Sequence, residues 1–84
     1  MFTNDLKKGT RVRLADSGWL ATLLDNAKGV TRLAEVEGFC TEAGSIYAHN
    51  SVAYLDKTNN VWKFDLEYTP NQLKTKAFAN SMGM

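Results

Sequence analysis

Few side chains in this chain could do chemistry. Among the 84 residues, His49 is the only histidine and Cys40 the only cysteine. Together they could supply two ligands of a tetrahedral metal site, and no second Cys or His pair completes the set. Ser45 and His49 could form a nucleophile–base pair, which requires hydrogen-bond contact. Four positions along a strand span about 13 Å, so we expect His49 to anchor a loop or lie at the surface, and we predict neither metal nor other cofactor.

A pair of acids is the second candidate for catalysis. Glu35 and Glu37 stand two positions apart, so on a strand their carboxylates share one face about 7 Å apart. Glycoside hydrolysis can use such a spacing. The sequence shows no apolar setting that would raise the pKa of one carboxyl group, and solvated strand faces often carry such pairs. We therefore predict that the protein is not an enzyme.

Basic side chains concentrate near the start of the chain, although the formal net charge is only +1. Arg11 and Arg13 fall on the same face of a predicted strand. The planar fork of arginine binds phosphates and carboxylates equally well, while a solvated strand face would show the same pattern. Adding the nearby lysines, two further basic residues and one aromatic ring, the predicted binding residues are Lys7, Lys8, Arg11, Arg13, Lys28, Arg32 and Tyr47.

Aromatic side chains are the other resource for binding. The chain has two Trp, three Tyr and four Phe residues, and small barrels present such rings to single-stranded nucleic acid or to extended peptides. Core packing is the alternative role, and we expect it for Trp62, Phe64 and Phe78. Tyr47 is the expected surface ring, because its neighbours Ile46 and Ala48 take the inward parity of a strand.

The clearest structural pattern lies at residues 61–68, where apolar and polar residues alternate. This period of two predicts a strand with Trp62, Phe64, Leu66 and Tyr68 facing inward. The next residues predict a helix over about 70–82, because Thr69 and Gln72 form a capping box and Pro70 suits the first helical position. Leu73 and Phe78 share an apolar stripe of this helix, so we expect both to be buried against the sheet. Gly83 could end the helix.

Five further segments predict strands, at about residues 10–14, 19–24, 30–37, 45–49 and 52–55, with turns at 16–18, 25–29 and 56–60. In the second strand the inward residues are expected to be Trp19, Ala21 and Leu23. In the third, Arg32 falls on the apolar parity and Leu33 on the polar one, which a bulge would explain.

The predicted fold is therefore mainly β (α+β): a small antiparallel barrel of five or six strands with one C-terminal helix. A closed barrel removes the exposed strand edges of such a small sheet. We predict a single domain over residues 1–84, with the barrel over about 6–68. No apolar run approaches the roughly 20 residues of a membrane helix.

The run Leu-Lys-Lys-Gly-Thr-Arg-Val at residues 6–12, followed by turn, strand, hairpin and strand, resembles the opening of SH3-like small barrels, including the KOW type. The resemblance covers about residues 6–55 and implies a barrel that binds RNA or another partner. The second strand lacks the early glycine of the KOW pattern. Residues 44–49 and 68–74 are also similar to small uncharacterised proteins of tailed bacteriophages, which implies a host-cytoplasm or virion setting.

Two functional hypotheses follow. The first is a protein-interaction module, such as a phage accessory or virion component, which the weak net charge favours. The alternative is a nucleic-acid-binding barrel that uses the basic strand face, for which a larger basic surplus is typical. A lone cysteine suits a reducing compartment, so we predict a cytoplasmic protein without membrane attachment. The oligomeric state stays open.

Overall fold

The computed structural model describes residues 1–15, 18–38 and 40–81. Its six strands are β1 (Arg11–Leu14), β2 (Leu20–Leu23), β3 (Thr31–Glu37), β4 (Thr41–Tyr47), β5 (Ser51–Asp56) and β6 (Val61–Lys63). Short 3-10 turns cover Thr3–Asp5 and Ala48–Asn50, and one helix, α1, covers Pro70–Ser81. The prediction of a mainly β chain with a C-terminal helix is confirmed. Residues 16, 17, 82 and 83, part of the predicted first turn and helix end, lie outside the described residues.

All six strands form one antiparallel sheet in the order β4-β3-β2-β1-β5-β6. β1 pairs with β2, β2 with β3 and β3 with β4. β5 returns to pair with the other side of β1, and β6 pairs with β5. The turn at Ala48–Asn50 separates β4 from β5, so the predicted strand at 45–49 ends earlier, at Tyr47. Among the described residues no ladder joins β4 to β6. The sheet is therefore open where the sequence predicted a closed barrel.

The core lies on one face of the sheet and is built from small and medium apolar side chains. Strands β1 and β2 alternate buried and half-buried residues, as their sequences predict. Ala21 and Leu23 are buried as expected, whereas Trp19 is 42% exposed. The buried cluster comprises Leu6, Val12, Leu14, Ala21, Leu23, Ala34 and Tyr54, with Val36, Ile46 and Leu66 packed against it.

Arg32 also points into this interior. Strand β3 pairs regularly with β4 along its whole length, so no bulge forms near Arg32, and the register shift in the sheet lies between Arg13 and Leu14 instead. The side chain of Arg32 is only 1% exposed. Its guanidinium donates hydrogen bonds to Asp25 Oδ1 at 2.8 Å and to three main-chain carbonyls. The break in sequence parity therefore marks a buried arginine.

The partners of Arg32 connect distant parts of the chain. The three carbonyls belong to Thr3, Leu6 and Asp25, at 3.0, 2.9 and 2.6 Å. The second carboxylate oxygen of Asp25 accepts the main-chain N–H of Leu33 at 3.0 Å. Arg32 and these hydrogen bonds hold the pKa of Asp25 below its usual value. One buried cation thus ties the N-terminal segment to the loop between β2 and β3.

Gln72 connects the same region to α1. The capping box is formed in both directions: Thr69 N donates to Gln72 Oε1 at 3.0 Å, and Gln72 N donates to Thr69 Oγ1 at 3.3 Å. The buried amide of Gln72 also accepts from Thr3 Oγ1 at 3.1 Å and donates to Asn4 Oδ1 and to the Gly29 carbonyl, at 2.9 and 3.0 Å. We call the set Thr3, Asp25, Arg32 and Gln72 the terminal junction.

The predicted strand over residues 61–68 is shorter in the structure. β6 ends at Lys63, and Phe64 is 69% exposed, so its predicted burial is wrong. The N-terminal segment pairs with the residues that follow: the Met1 ammonium donates to the Asp65 carbonyl at 3.2 Å, and Glu67 N donates to the Met1 carbonyl at 2.7 Å. This pairing takes the main-chain groups of residues 65–67 away from the β6 ladder.

Helix α1 begins at Pro70 as predicted, but its apolar stripe is not buried. Leu73 is 50% exposed and Phe78 is 66% exposed, so the predicted docking of this stripe is wrong. The contacts of α1 with other elements are concentrated at the turn Ala48–Asn50, and its first turn holds the terminal junction through Gln72. None of the described helices is long and apolar enough to span a membrane.

The terminal junction predicts unequal roles for two arginines. Arg32→Met should lower the free energy of unfolding by about 3–5 kcal/mol, because it leaves buried carbonyls and the Asp25 carboxylate unpaired. The matched change Arg11→Met removes a solvent-exposed ion pair with Glu37 and should cost less than about 1 kcal/mol. Urea unfolding measures both values. Equal losses for the two variants would show that Arg32 has no special structural role.

Candidate functional site

A cleft of about 460 Å³ lies among β1, β3, β4, the start of β2 and the turn that follows β4. Its apolar floor is formed by Leu14, Val36 and Ile46, which belong to the core or pack against it. The rim carries aromatic and polar side chains, and the complete lining is Leu14, Trp19, Val36, Ser45, Ile46, Tyr47 and Asn50. The cleft is therefore a part of the core that is left uncovered.

Trp19 forms one side of the rim and is 42% exposed. Its main-chain carbonyl accepts Leu14 N at 2.8 Å, which fixes the start of β2 beside the end of β1. The six-membered part of the indole lies against Gly38, where an added Cβ would come within 2.6 Å of the ring. Only glycine admits the ring in this position. From the sequence, Trp19 was expected to face inward. Gly38, directly after β3, was the residue that could have indicated where the ring lies.

Tyr47 forms the opposite side of the rim, and its exposure of 44% agrees with the ring expected at the surface. Its ring is stacked on that of His49, with centroids 5.1 Å apart and planes 16° apart. A second hollow of about 230 Å³ is lined by Thr31, Ser45, Ile46 and Tyr47. Tyr47 therefore borders both hollows with a ring whose orientation is fixed by its neighbour.

His49 supports Tyr47 from below and is half-buried. Its Nδ1 atom is buried without a hydrogen-bond partner among the described residues. Burial, and then the positive charge of Lys76, lower the pKa of His49 from its usual value near 6.5. The imidazole is therefore neutral at pH 7, which lets it stack on Tyr47 without adding charge to the cleft.

The predicted basic face is largely engaged within the protein. Arg11 and Arg13 alternate with buried Val12 and Leu14 on the outward face of β1. Arg11 forms an ion pair with Glu37, and the guanidinium of Arg13 lies over the ring of Trp62, 5.1 Å from its centroid. Both arginines thus have partners, supplied by β3 and β6, each of which lies two strands away from β1 in the sheet.

The other predicted basic residues lie in different places. Lys7 and Lys8 are exposed just before β1, and Lys28 is exposed in the loop between β2 and β3. Lys8 N donates to Asn26 Oδ1 at 2.7 Å, which brings this turn and loop together. Arg32 does not join them, since β2 separates β1 from β3 and the guanidinium is buried in the terminal junction. The proposed arginine patch is therefore divided.

The candidate catalytic residues also acquire structural partners. Glu37 binds Arg11, and Glu35, two positions earlier on β3, is exposed. Cys40 Sγ is exposed and lies 3.4 Å from Glu42 Oε1 in a hydrogen bond. Within the described parts of the chain, no three His, Cys, Asp or Glu residues are grouped so that they could hold a metal ion.

Comparison of the chain with protein-family models, curated proteins and solved structures found no match. The resemblances to SH3-like barrels and to phage proteins therefore stay predictions. The cleft between Trp19 and Tyr47 is the feature of the structure that best fits a binding function.

The setting of His49 predicts its titration. The imidazole should titrate below pH 6.5, and Lys76→Ala should raise the pKa part of the way back, because it removes a nearby positive charge. A histidine whose pKa is lowered by folding costs stability as the pH falls below its unfolded value, since the unfolded chain takes up the proton more readily. NMR titration of the ring protons measures the pKa directly. A midpoint at or above 6.5 would contradict this description of the site.

Proposed function

We propose that the protein is a small, non-enzymatic binding module that acts through protein–protein contact. The cleft between Trp19 and Tyr47 receives an extended segment of a partner and takes one of its apolar side chains onto the floor. The observation that carries this proposal is the combination of exposed aromatic rims with an uncovered apolar floor. Tryptophan and tyrosine are the residue types that most often dominate binding energy at protein interfaces.

Two properties of the cleft favour binding: its exposed apolar floor and its ordered aromatic rings. Covering apolar surface is worth roughly 25 cal/mol per Å², so the exposed floor of Leu14, Val36 and Ile46 favours an apolar occupant. Gly38 fixes the Trp19 ring and His49 fixes the Tyr47 ring. Rings that are already ordered lose little side-chain entropy on binding. The cleft is therefore prepared for a ligand that it can hold by its side chains.

We also propose that the sheet is an SH3-like barrel that is left open. An SH3-like barrel is supported by the antiparallel meander of β1 to β4 and by the return of β5 to β1. The barrel is then left open between β4 and β6, and the partner binds at the cleft, to which β4 contributes Ser45, Ile46 and Tyr47. A phage accessory or virion protein in the host cytoplasm is the setting that we propose, in keeping with the unpaired thiol of Cys40.

Nucleic-acid binding is the alternative function, supported by the exposed Lys7, Lys8 and Lys28. Protein binding is favoured because the arginines have internal partners. Arg11 would have to leave Glu37, and Arg32 would have to leave a buried network, before either could bind phosphate. The lysines alone give few phosphate contacts, and affinity for nucleic acid depends on their number.

A random peptide library selected on the immobilised protein tests the proposal. The peptides retained by the wild type should bind Tyr47→Ala at least about tenfold more weakly, because truncation of an aromatic residue that dominates an interface typically costs about 2 kcal/mol or more. The matched control is Phe64→Ala, which removes an exposed ring away from the cleft and should leave affinity unchanged. Fluorescence polarisation of labelled peptides measures the affinities.

Nucleic-acid binding, the alternative function, is tested by a separate measurement. A single-stranded oligonucleotide should bind weakly, and Lys7→Glu combined with Lys8→Glu should not affect peptide binding. If no peptide is retained while the oligonucleotide binds with steep salt dependence and loses affinity in this double variant, the nucleic-acid function replaces the protein-binding one.

A further inference from the structure

Among the described residues, β4 is a long outer strand with little protection. It runs for seven residues, from Thr41 to Tyr47, whereas the other outer strand, β6, has three. Natural sheets protect their edges by short strands, charges or proline. β4 contains no proline, and Glu42 is its only charged residue. Its main-chain groups therefore offer a template on which another strand can pair.

The hydrogen bonds that flank β4 define which of its groups point outward. Ala48 N donates to the Val30 carbonyl at 2.9 Å, and Gly38 N donates to the Cys40 carbonyl at 3.4 Å. Both pairs continue the register of the β3–β4 ladder. Because hydrogen-bonded pairs alternate in antiparallel sheets, the even-numbered residues of β4 bond to β3. The main-chain N–H and C=O groups that point away from β3 belong to Thr41, Ala43 and Ser45.

We propose that a second copy of this chain pairs with this edge, antiparallel and across a two-fold axis at Gly44. In this register Ala43 lies opposite Ser45 of the second copy, and Thr41 lies opposite Tyr47. Ala43 and Ser45 are outward-bonding positions, and Thr41 and Tyr47 share their parity, so the hydrogen-bond alternation is kept across the interface. The surface consists of main-chain groups on the outer edge of β4. It is a second interface, beyond the side-chain cleft of the proposed function.

The charges on β4 do not oppose a second copy in this register. Glu42 lies opposite Ile46 of the second copy, so no like charges face each other, and the two Glu42 residues are about 13 Å apart. The net charge of +1 opposes association only weakly. The same patch on both copies gives a closed dimer.

Head-to-tail pairing is disfavoured by the other edge. A β4–β6 contact between copies would build an open array, and β6 offers three residues that include Lys63. Short strands and edge lysines are the features that oppose edge pairing. The inferred assembly therefore stops at two copies.

Sedimentation equilibrium of the full chain tests the inference. The wild type should form a dimer and no larger species. Gly44→Glu should weaken the dimer at least about tenfold, because it places two carboxylates opposite each other at the axis. An added Cβ at Gly44 meets no atom within 4 Å, so the monomer should keep its circular dichroism spectrum. Gly44→Lys should likewise weaken the dimer and leave the circular dichroism spectrum of the monomer unchanged.

An equimolar mixture of Gly44→Glu and Gly44→Lys should restore the dimer, since opposite charges then meet. Thr58→Glu, which adds the same charge in the β5–β6 turn, is the control and should dimerise like the wild type. A wild type that stays monomeric, forms larger assemblies, or is unaffected by Gly44→Glu would overturn the inference. So would a mixture that fails to restore the dimer. Peptide affinity at the cleft is measured separately, so the two proposals can fail independently.

Discussion

The buried guanidinium of Arg32 is the constraint on which the rest of this structure depends. A charge taken out of water is tolerated only when its hydrogen-bond donors are satisfied. Arg32 meets this requirement with Asp25 and with carbonyls from the N-terminal segment. The chain must therefore bring residues 3–6 against the start of β3, where Arg32 lies. Gln72 then joins the start of α1 to the same place. A polar junction does what a larger apolar core does in bigger domains.

This arrangement explains why apolar surface is left uncovered. Helix α1 is fixed at its first turn by Gln72 and the capping box, and the helix keeps this position although Leu73 and Phe78 are largely exposed. The N-terminal segment pairs with residues 65–67 and ends β6 early. The sheet stays open between β4 and β6, and among the described residues the outer edge of β4 has no ladder partner.

Local patterns in the sequence predicted the elements that depend on near neighbours. The alternation in β1 and β2 gave their inward residues, and Thr69 with Gln72 gave the start of α1. Features set by distant contacts were missed. Arg32 was expected at a bulge, because no periodicity reveals that Thr3 and Leu6 offer it carbonyls. Trp19 was placed inside because parity does not show that Gly38 leaves room for its ring. Of the predicted site, Tyr47 lies on the cleft, whereas the basic residues are divided among internal partners and separate loops.

The central claim is that the terminal junction, rather than the apolar stripe of α1, holds the N-terminal segment and the start of α1 to the sheet. Native-state hydrogen exchange of the variant Gln72→Leu tests this most directly. The account predicts that the amides of Leu6 and Leu73, which donate to the Thr3 and Thr69 carbonyls, lose protection together, while the amides of β1 and β2 keep theirs. Unchanged protection of both amides in Gln72→Leu would contradict the account, since these segments would then be held by other contacts.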